Sequence, residues 1–335
     1  MNLRENFYLI FLSMGGLGLL LFLPAYFLLQ KGIIDYKSLL LFEGIFFASP
    51  HLFSSYFRAY TDSEEIKRYT IYTAYLPIVL FLILFSYIYF YGLNTLWIIG
   101  SIYFYWQWWH HARQSFGLGR QYQKQSNFTL NNLDLSLNDY ALWSTAILGI
   151  LLKSSLADNH YEGIPIKTFV LPNIVFYIFI FLIIFYLLFY TARQVYLHTN
   201  QKIIQSNFLI HLILQSIVFI WLFGLLPTDI GIIGASFWHC TQYITFVKNH
   251  QKHKALNQLI KNPFWYNLFA KENWFIYLGI LFIFSCLLPI LKFNLSNLEI
   301  NGLALAFSLS LTFHHYLLDG ILWTKNEIKW SLGLT

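Results

Sequence analysis

The stretch "VLPNIVFYIFIFLIIFYLLFYTA", residues 170 to 192, carries no charged side chain and no alternation of polar with apolar residues. As a helix rising about 1.5 Å per residue, a run of that length crosses the roughly 30 Å of hydrocarbon in a bilayer. A helix also satisfies its own backbone donors and acceptors where no water can. The run reads as a transmembrane helix, and Arg193 marks where it leaves the apolar phase.

The rest of the chain repeats that signature. It is 57% hydrophobic and 11% charged over 335 residues, with mean hydropathy +0.54, whereas soluble domains are about 25% charged. Apolar runs lie at 7–29, 37–57, 70–91, 94–116, 139–152, 170–192, 207–226, 230–247, 273–291 and 299–323. The fifth is short, and the seventh and eighth meet at a turn set by Pro227, Asp229 and Gly231. The expected fold is an all-α polytopic transmembrane helix bundle of about ten helices (eight to ten), forming one integral-membrane domain over 1–335. The first run exceeds a signal-peptide core of about 7–15 residues and no small-residue cleavage site follows it, so it reads as a retained span. Cys240 and Cys286 lie in apolar runs without CxxC spacing, which gives no disulfide framework and no zinc-finger reading.

Lys and Arg set the orientation. With the N-terminus cytoplasmic, Lys31, Lys37, Lys153, Lys167 and Lys292 fall on the far side, and the other 16 of the 21 basic residues fall on the near side. That bias places both termini in the cytoplasm, in a cell inner membrane. Basic residues alternate with the spans and form no block, so the net charge of +6 does not indicate nucleic acid.

On this topology ten of the eleven histidines lie in or just beyond the cytoplasmic half, and only His160 lies opposite. His51, the pair His110–His111, His239 and the pair His314–His315 come from the second, fourth, eighth and tenth runs. Ionisable residues inside a span are costly and face a bundle interior or a wet cavity. Imidazoles from facing helices at one depth are how a bundle builds a metal centre, and neutral imidazole suits iron, copper and zinc. Residues three or four apart share a helix face, and such polar neighbours recur: Ser54 and Ser55 for His51, Gln114 for His110, Gln107 for His111, Gln242 and Tyr243 for His239, Asp319 for His315. Adjacent histidines point about 100° apart, so each pair either serves two nearby ions or splits into a ligand and an orienting residue. Two pairs suit a dinuclear centre. His198 and His211 read as helix–helix hydrogen-bonding residues. His250 and His253, in "KNHQKHK", fit a solvated basic loop and ligation equally.

"WWHHARQSFG" (residues 108–117) and "TFHHYLLDG" (312–320) resemble the usage of histidine-rich integral-membrane oxygenases: fatty-acid desaturases and hydroxylases, alkane hydroxylases and, more loosely, membrane carotene-cleaving dioxygenases. Those families hold iron with histidines near the cytoplasmic ends of spans. The chain departs from the desaturase boxes in having no HxxHH or HxxxHH. The resemblance implies two non-haem iron ions on His51, His110, His111, His239, His314 and His315, with Asp319 as catalytic or outer partner. It implies an oxidoreductase that uses O2 on an apolar or lipid-like substrate. Electrons then come from a separate donor protein, since no flavin or Fe–S motif is present. The rival readings are a haem-binding electron-transfer protein and a proton- or metal-coupled transporter. No GxGxxG, Walker A or HExxH motif supports nucleotide-driven transport or zincin proteolysis.

Both termini and the 249–272 segment are expected on the cytoplasmic side. Reporter fusions at Thr335 and after Lys254 check this, and a periplasmic or lumenal signal from either overturns the one-sided histidine arrangement.

Overall fold

The computed structural model describes residues 15–322 except 62, 93–94, 125–129, 157–159, 162–163, 204, 258, 271–272 and 294–297. Residues 7–14 of the first expected span, and Arg4, Lys271, Lys325, Lys329 and Thr335, lie outside them. The described chain is helical apart from one short hairpin. It divides into two compact units, residues 1–96 with 236–335, and residues 97–235.

The helices of the first unit are α1 (Gly16–Gln30), α2 (Tyr36–Glu43), α3 (Ser49–Tyr60), α4 (Ser63–Arg68) and α5 (Leu76–Tyr91). The second unit takes nearly all of α6 (Leu96–Lys124), then α7 (Asn132–Ser154), α8 (Asn173–Gln201) and α9 (Ser206–Ser216). Next comes α10 (Thr228–Leu256), which belongs to the first unit from Ser236 onward, as do α11 (Pro263–Ala270), α12 (Trp274–Phe293) and α13 (Leu298–Leu322). His160–Tyr161 and Ile164–Pro165 pair antiparallel between α7 and α8.

Among the described residues three π-helical segments interrupt this pattern: Gly44–Ala48, Ile71–Tyr75 and Ile217–Leu225. Each ends two residues before a proline, Pro50, Pro77 and Pro227. Proline has no N–H and its ring crowds the carbonyl four residues earlier. Widening the turn ahead of it relieves that crowding and carries the chain on as helix past Pro50 and Pro77. The cost is a carbonyl with no backbone donor. Ahead of Pro77 the affected carbonyls are Thr73 in α register and Tyr72 in π register. Both are taken by side chains of the same unit: Tyr60 donates its hydroxyl to Thr73 O, and His314 Nε2 lies 2.6 Å from Tyr72 O.

In the first unit α13 packs on α5 and α3, and α12 packs on α3. A core of Ile244, Leu268, Phe269, Tyr277 and Leu281 joins α10, α11 and α12. Buried cations close two helix ends. Arg58 Nη2 donates to Leu322 O at 2.7 Å, and Lys248 Nζ donates to Leu268 O at 2.9 Å, each in the last turn of its helix. Carbonyls there have no intrahelical donor and carry the negative end of the helix dipole. In the second unit Lys153 does the same for Leu226 O. Arg58 and Lys248, two of the 16 basic residues placed on the near side by their sequence positions, are thus buried structural caps.

In the second unit α7 lies against the Ile217–Leu225 segment and α8. A methyl group on Gly149 would sit 2.2 Å from Phe219 O, so only glycine allows the two backbones this approach. Asp134 and Asn138, ahead of the expected fifth span, are buried in α7. Arg193 reaches Asp134 through two bonds of 2.8 and 3.0 Å, and Tyr190 donates to Asn138 Oδ1 at 2.7 Å. The short run 139–152 therefore belongs to a 23-residue helix.

Among the described residues four helices are long and apolar enough to cross a membrane: Ile71–Tyr91, Asn132–Ser154, Asn173–Gln201 and Ser206–Leu225. The bent pair Pro263–Ala270 and Trp274–Cys286 makes a fifth if counted as one span. The expected ten spans are therefore not all supported by helix composition. The helices bearing His51, His110 and His239 carry too many polar side chains to pass as lipid-facing spans. Residues 249–256, expected as loop, continue α10 and bury His250. On α8, Ile174, Phe181, Phe185 and Leu188 are each more than 60% exposed. Apolar surface on that scale is solvated by lipid, and the protein is embedded in a membrane.

Gly149→Val puts a branched side chain against the Phe219 carbonyl. The expected loss is about 1–3 kcal/mol of stability from overpacking, read as a lower thermal midpoint in detergent. An unchanged midpoint contradicts the close approach.

Candidate metal centre

Three helices of the first unit deliver the site. His51 lies on α3 three residues past the Gly44–Ala48 segment, His239 in the middle of α10, and His315 with Asp319 late in α13. All four side chains are buried. The His51 ring centroid lies 4.7 Å from that of His239 and 4.5 Å from that of His315, the rings meeting edge to face. A ring nitrogen of His51 and one of His239 lie within 4.8 Å of each other, as do a ring nitrogen of His315 and a carboxylate oxygen of Asp319. Two ligands sharing one ion on bonds of about 2.1 Å sit roughly 3–3.5 Å apart, so small rotations suffice. Three imidazoles and a carboxylate form a donor set suited to iron, zinc or copper. Axial ligands on opposite faces of a haem would hold their ring centroids roughly 6 Å apart, wider than either His51 pair.

One helical turn further along lies a second layer. Ser55, Tyr243 and Asp319 each follow a site histidine by four residues: His51, His239 and His315. Sequence spacing offers each of them to its own histidine, but the structure joins them mainly to one another. Ser55 Oγ donates to the Tyr243 hydroxyl at 2.6 Å, and that hydroxyl donates to Asp319 Oδ1 at 2.5 Å. The other carboxylate oxygen of Asp319 lies 3.8 Å from His315 Nε2. Ser54, the alternative neighbour of His51, turns back to the His51 carbonyl at 2.7 Å.

The two members of the 314–315 pair separate. While His315 faces His51, His314 Nε2 meets Tyr72 O and its Nδ1 lies 2.9 Å from the Tyr56 hydroxyl. A carbonyl only accepts, so His314 carries a proton on Nε2, while its Nδ1 lies beside the Tyr56 hydroxyl, which also reaches Leu311 O at 3.0 Å. With both nitrogens committed, His314 serves the backbone ahead of Pro77. His110 and His111 are buried on α6 in the second unit, their ring centroids 6.1 Å apart. His211, also in that unit, lies 2.9 Å from Ser115 O and 3.0 Å from Ser115 Oγ, and Ser115 Oγ donates to Gln215. That is the helix–helix bonding expected of His211, reached through Ser115. His253 is bonded by Asn257, one residue past the end of its helix.

The fold and site together define a membrane-embedded helical protein with a buried histidine–carboxylate cluster of metal-binding character. No family model, curated protein or solved structure matches the chain.

His314→Ala and His315→Ala should separate. Removing His314 deprives Tyr72 O of its donor and costs on the order of 1 kcal/mol, lowering the thermal midpoint while bound metal stays. Removing His315 lowers bound metal at least tenfold. Equal metal loss in both variants contradicts the division of the pair.

Proposed function

We propose that the protein is a membrane oxidoreductase holding one or two non-haem iron ions on His51, His239 and His315, with Asp319 as ligand or outer partner, and acting with O2 on an apolar or lipid-like substrate. The reading rests on one observation: three imidazoles and a carboxylate, from parts of the chain nearly 190 residues apart in the case of His51 and His239, meet in one buried place. The sequence adds His110 and His111 as further ligands. Two histidine pairs suit two ions, and of the second pair His315 faces His51 while His314 faces Tyr72 O. Iron bound there supplies the oxygen chemistry.

The chain's own residues hold and shield that chemistry. Burial of the cluster keeps bulk water from it and strengthens each charge interaction inside. Asp319, with Oδ2 3.8 Å from His315 Nε2, stands where a carboxylate orients a ligating imidazole. Electrons come from a separate donor protein on the cytoplasmic side. The inner membrane, with both termini cytoplasmic, completes the reading, and the whole chain acts as one integral-membrane domain.

Protein purified without chelators should contain iron at one or two equivalents and show no Soret band. His51→Ala and His239→Ala should each lower iron at least tenfold without lowering membrane insertion. A strong Soret band moves the assignment to haem-based electron transfer, and absence of any bound metal moves it to a proton-coupled transporter.

A further inference from the structure

The structure assigns Tyr243 as the positioning residue of this centre, the middle of a three-residue clamp that fixes which oxygen of Asp319 faces the histidines. The assignment rests on the metal-centre reading above. Its basis is the direction of the bonds. A carboxylate only accepts, so the Tyr243 hydroxyl gives its proton to Asp319 Oδ1 at 2.5 Å, and its oxygen takes that of Ser55 Oγ at 2.6 Å. One carboxylate oxygen is thereby engaged, and Oδ2 is the one left toward His315. Asp319 can then give a single oxygen, either to the ion or to the His315 N–H. Without the phenol hydroxyl, the carboxylate could turn and present both oxygens.

The clamp also ties helices. Ser55, Tyr243 and Asp319 stand on α3, α10 and α13, each four residues after the histidine its helix contributes. Four residues are about one turn, or roughly 6 Å along the axis. Fixing the three helices at that level fixes their rotation at the histidine level. The Tyr243 ring reaches the histidines as well, with its centroid 4.3 Å from that of His51 and 5.9 Å from that of His315. Phenylalanine would keep this packing and remove only the hydroxyl.

The test compares full-length wild type, Tyr243→Phe, Asp319→Asn and the double variant in detergent, loaded with Fe(II) for affinity and with Cu(II) for electron paramagnetic resonance. Tyr243→Phe should fold with a somewhat lower thermal midpoint, bind Fe(II) about 10–100-fold more weakly and change the Cu(II) hyperfine splitting. In the Asp319→Asn background the same change should have no further effect, because the hydroxyl acts through the carboxylate. Wild-type affinity and spectrum in Tyr243→Phe overturn the assignment and leave the metal centre standing, as does a full further loss in the double variant. Failure of the wild type to take up either ion overturns the metal centre itself, and the clamp's role with it. If Tyr243→Phe does not fold, Ser55→Ala carries the test: it should shift the Cu(II) spectrum in the same direction by less, and an unchanged spectrum overturns the assignment.

Discussion

A carbonyl or charge inside an apolar phase has no water to fall back on, and each one left without a partner costs on the order of 1 kcal/mol or more. That constraint organises the details of this chain. Prolines open gaps in the backbone ladder, helix ends leave carbonyls exposed, and side chains from other helices fill both. His314 and Tyr60 serve the carbonyls ahead of Pro77, and Arg58, Lys248 and Lys153 serve carbonyls at helix ends. Residues that look chemically active in the sequence are thus partly occupied in keeping the backbone satisfied. His51, by contrast, brings its ring against those of His239 and His315.

The sequence was most legible where apolarity is unbroken. Runs 70–91 and 207–226 correspond to Ile71–Tyr91 and Ser206–Leu225 almost to the residue, because no Asp, Glu, Lys or Arg interrupts those helices. Run 139–152 was cut short because Asp134 and Asn138 look like loop residues until Arg193 and Tyr190 are seen to bind them. The span count suffered from the opposite confusion, since helices that carry buried polar groups resemble lipid-crossing helices in a sliding average.

In the site, spacing by four residues placed Ser55, Tyr243 and Asp319 on the right helix faces. It could not say that they bind one another, because Tyr243 and Asp319 are 76 residues apart and Ser55 and Tyr243 are 188 apart. The separate roles of His314 and His315 were equally hidden. About 100° of helix rotation sends one ring to His51 and the other to a carbonyl whose need for a donor arises from Pro77, far away in the chain. Local pattern identifies residues that can do chemistry, and long-range packing decides which of them are available for it.

The widened turn at Gly44–Ala48 has a bearing on how such a site arises. A π-helical turn behaves as one residue inserted into an α-helix, and it advances everything after it by about 100°. His51 stands three residues beyond that turn. Removing a single residue from the segment would still leave a continuous, equally apolar helix, yet it would swing His51 about a quarter turn away from His239 and His315. Composition and hydropathy would hardly register the change. The angular phase of α3, set by one surplus residue, separates a histidine in the cluster from a histidine facing elsewhere, so insertions and deletions of one residue are a route by which a helical bundle gains or loses a ligand without any substitution.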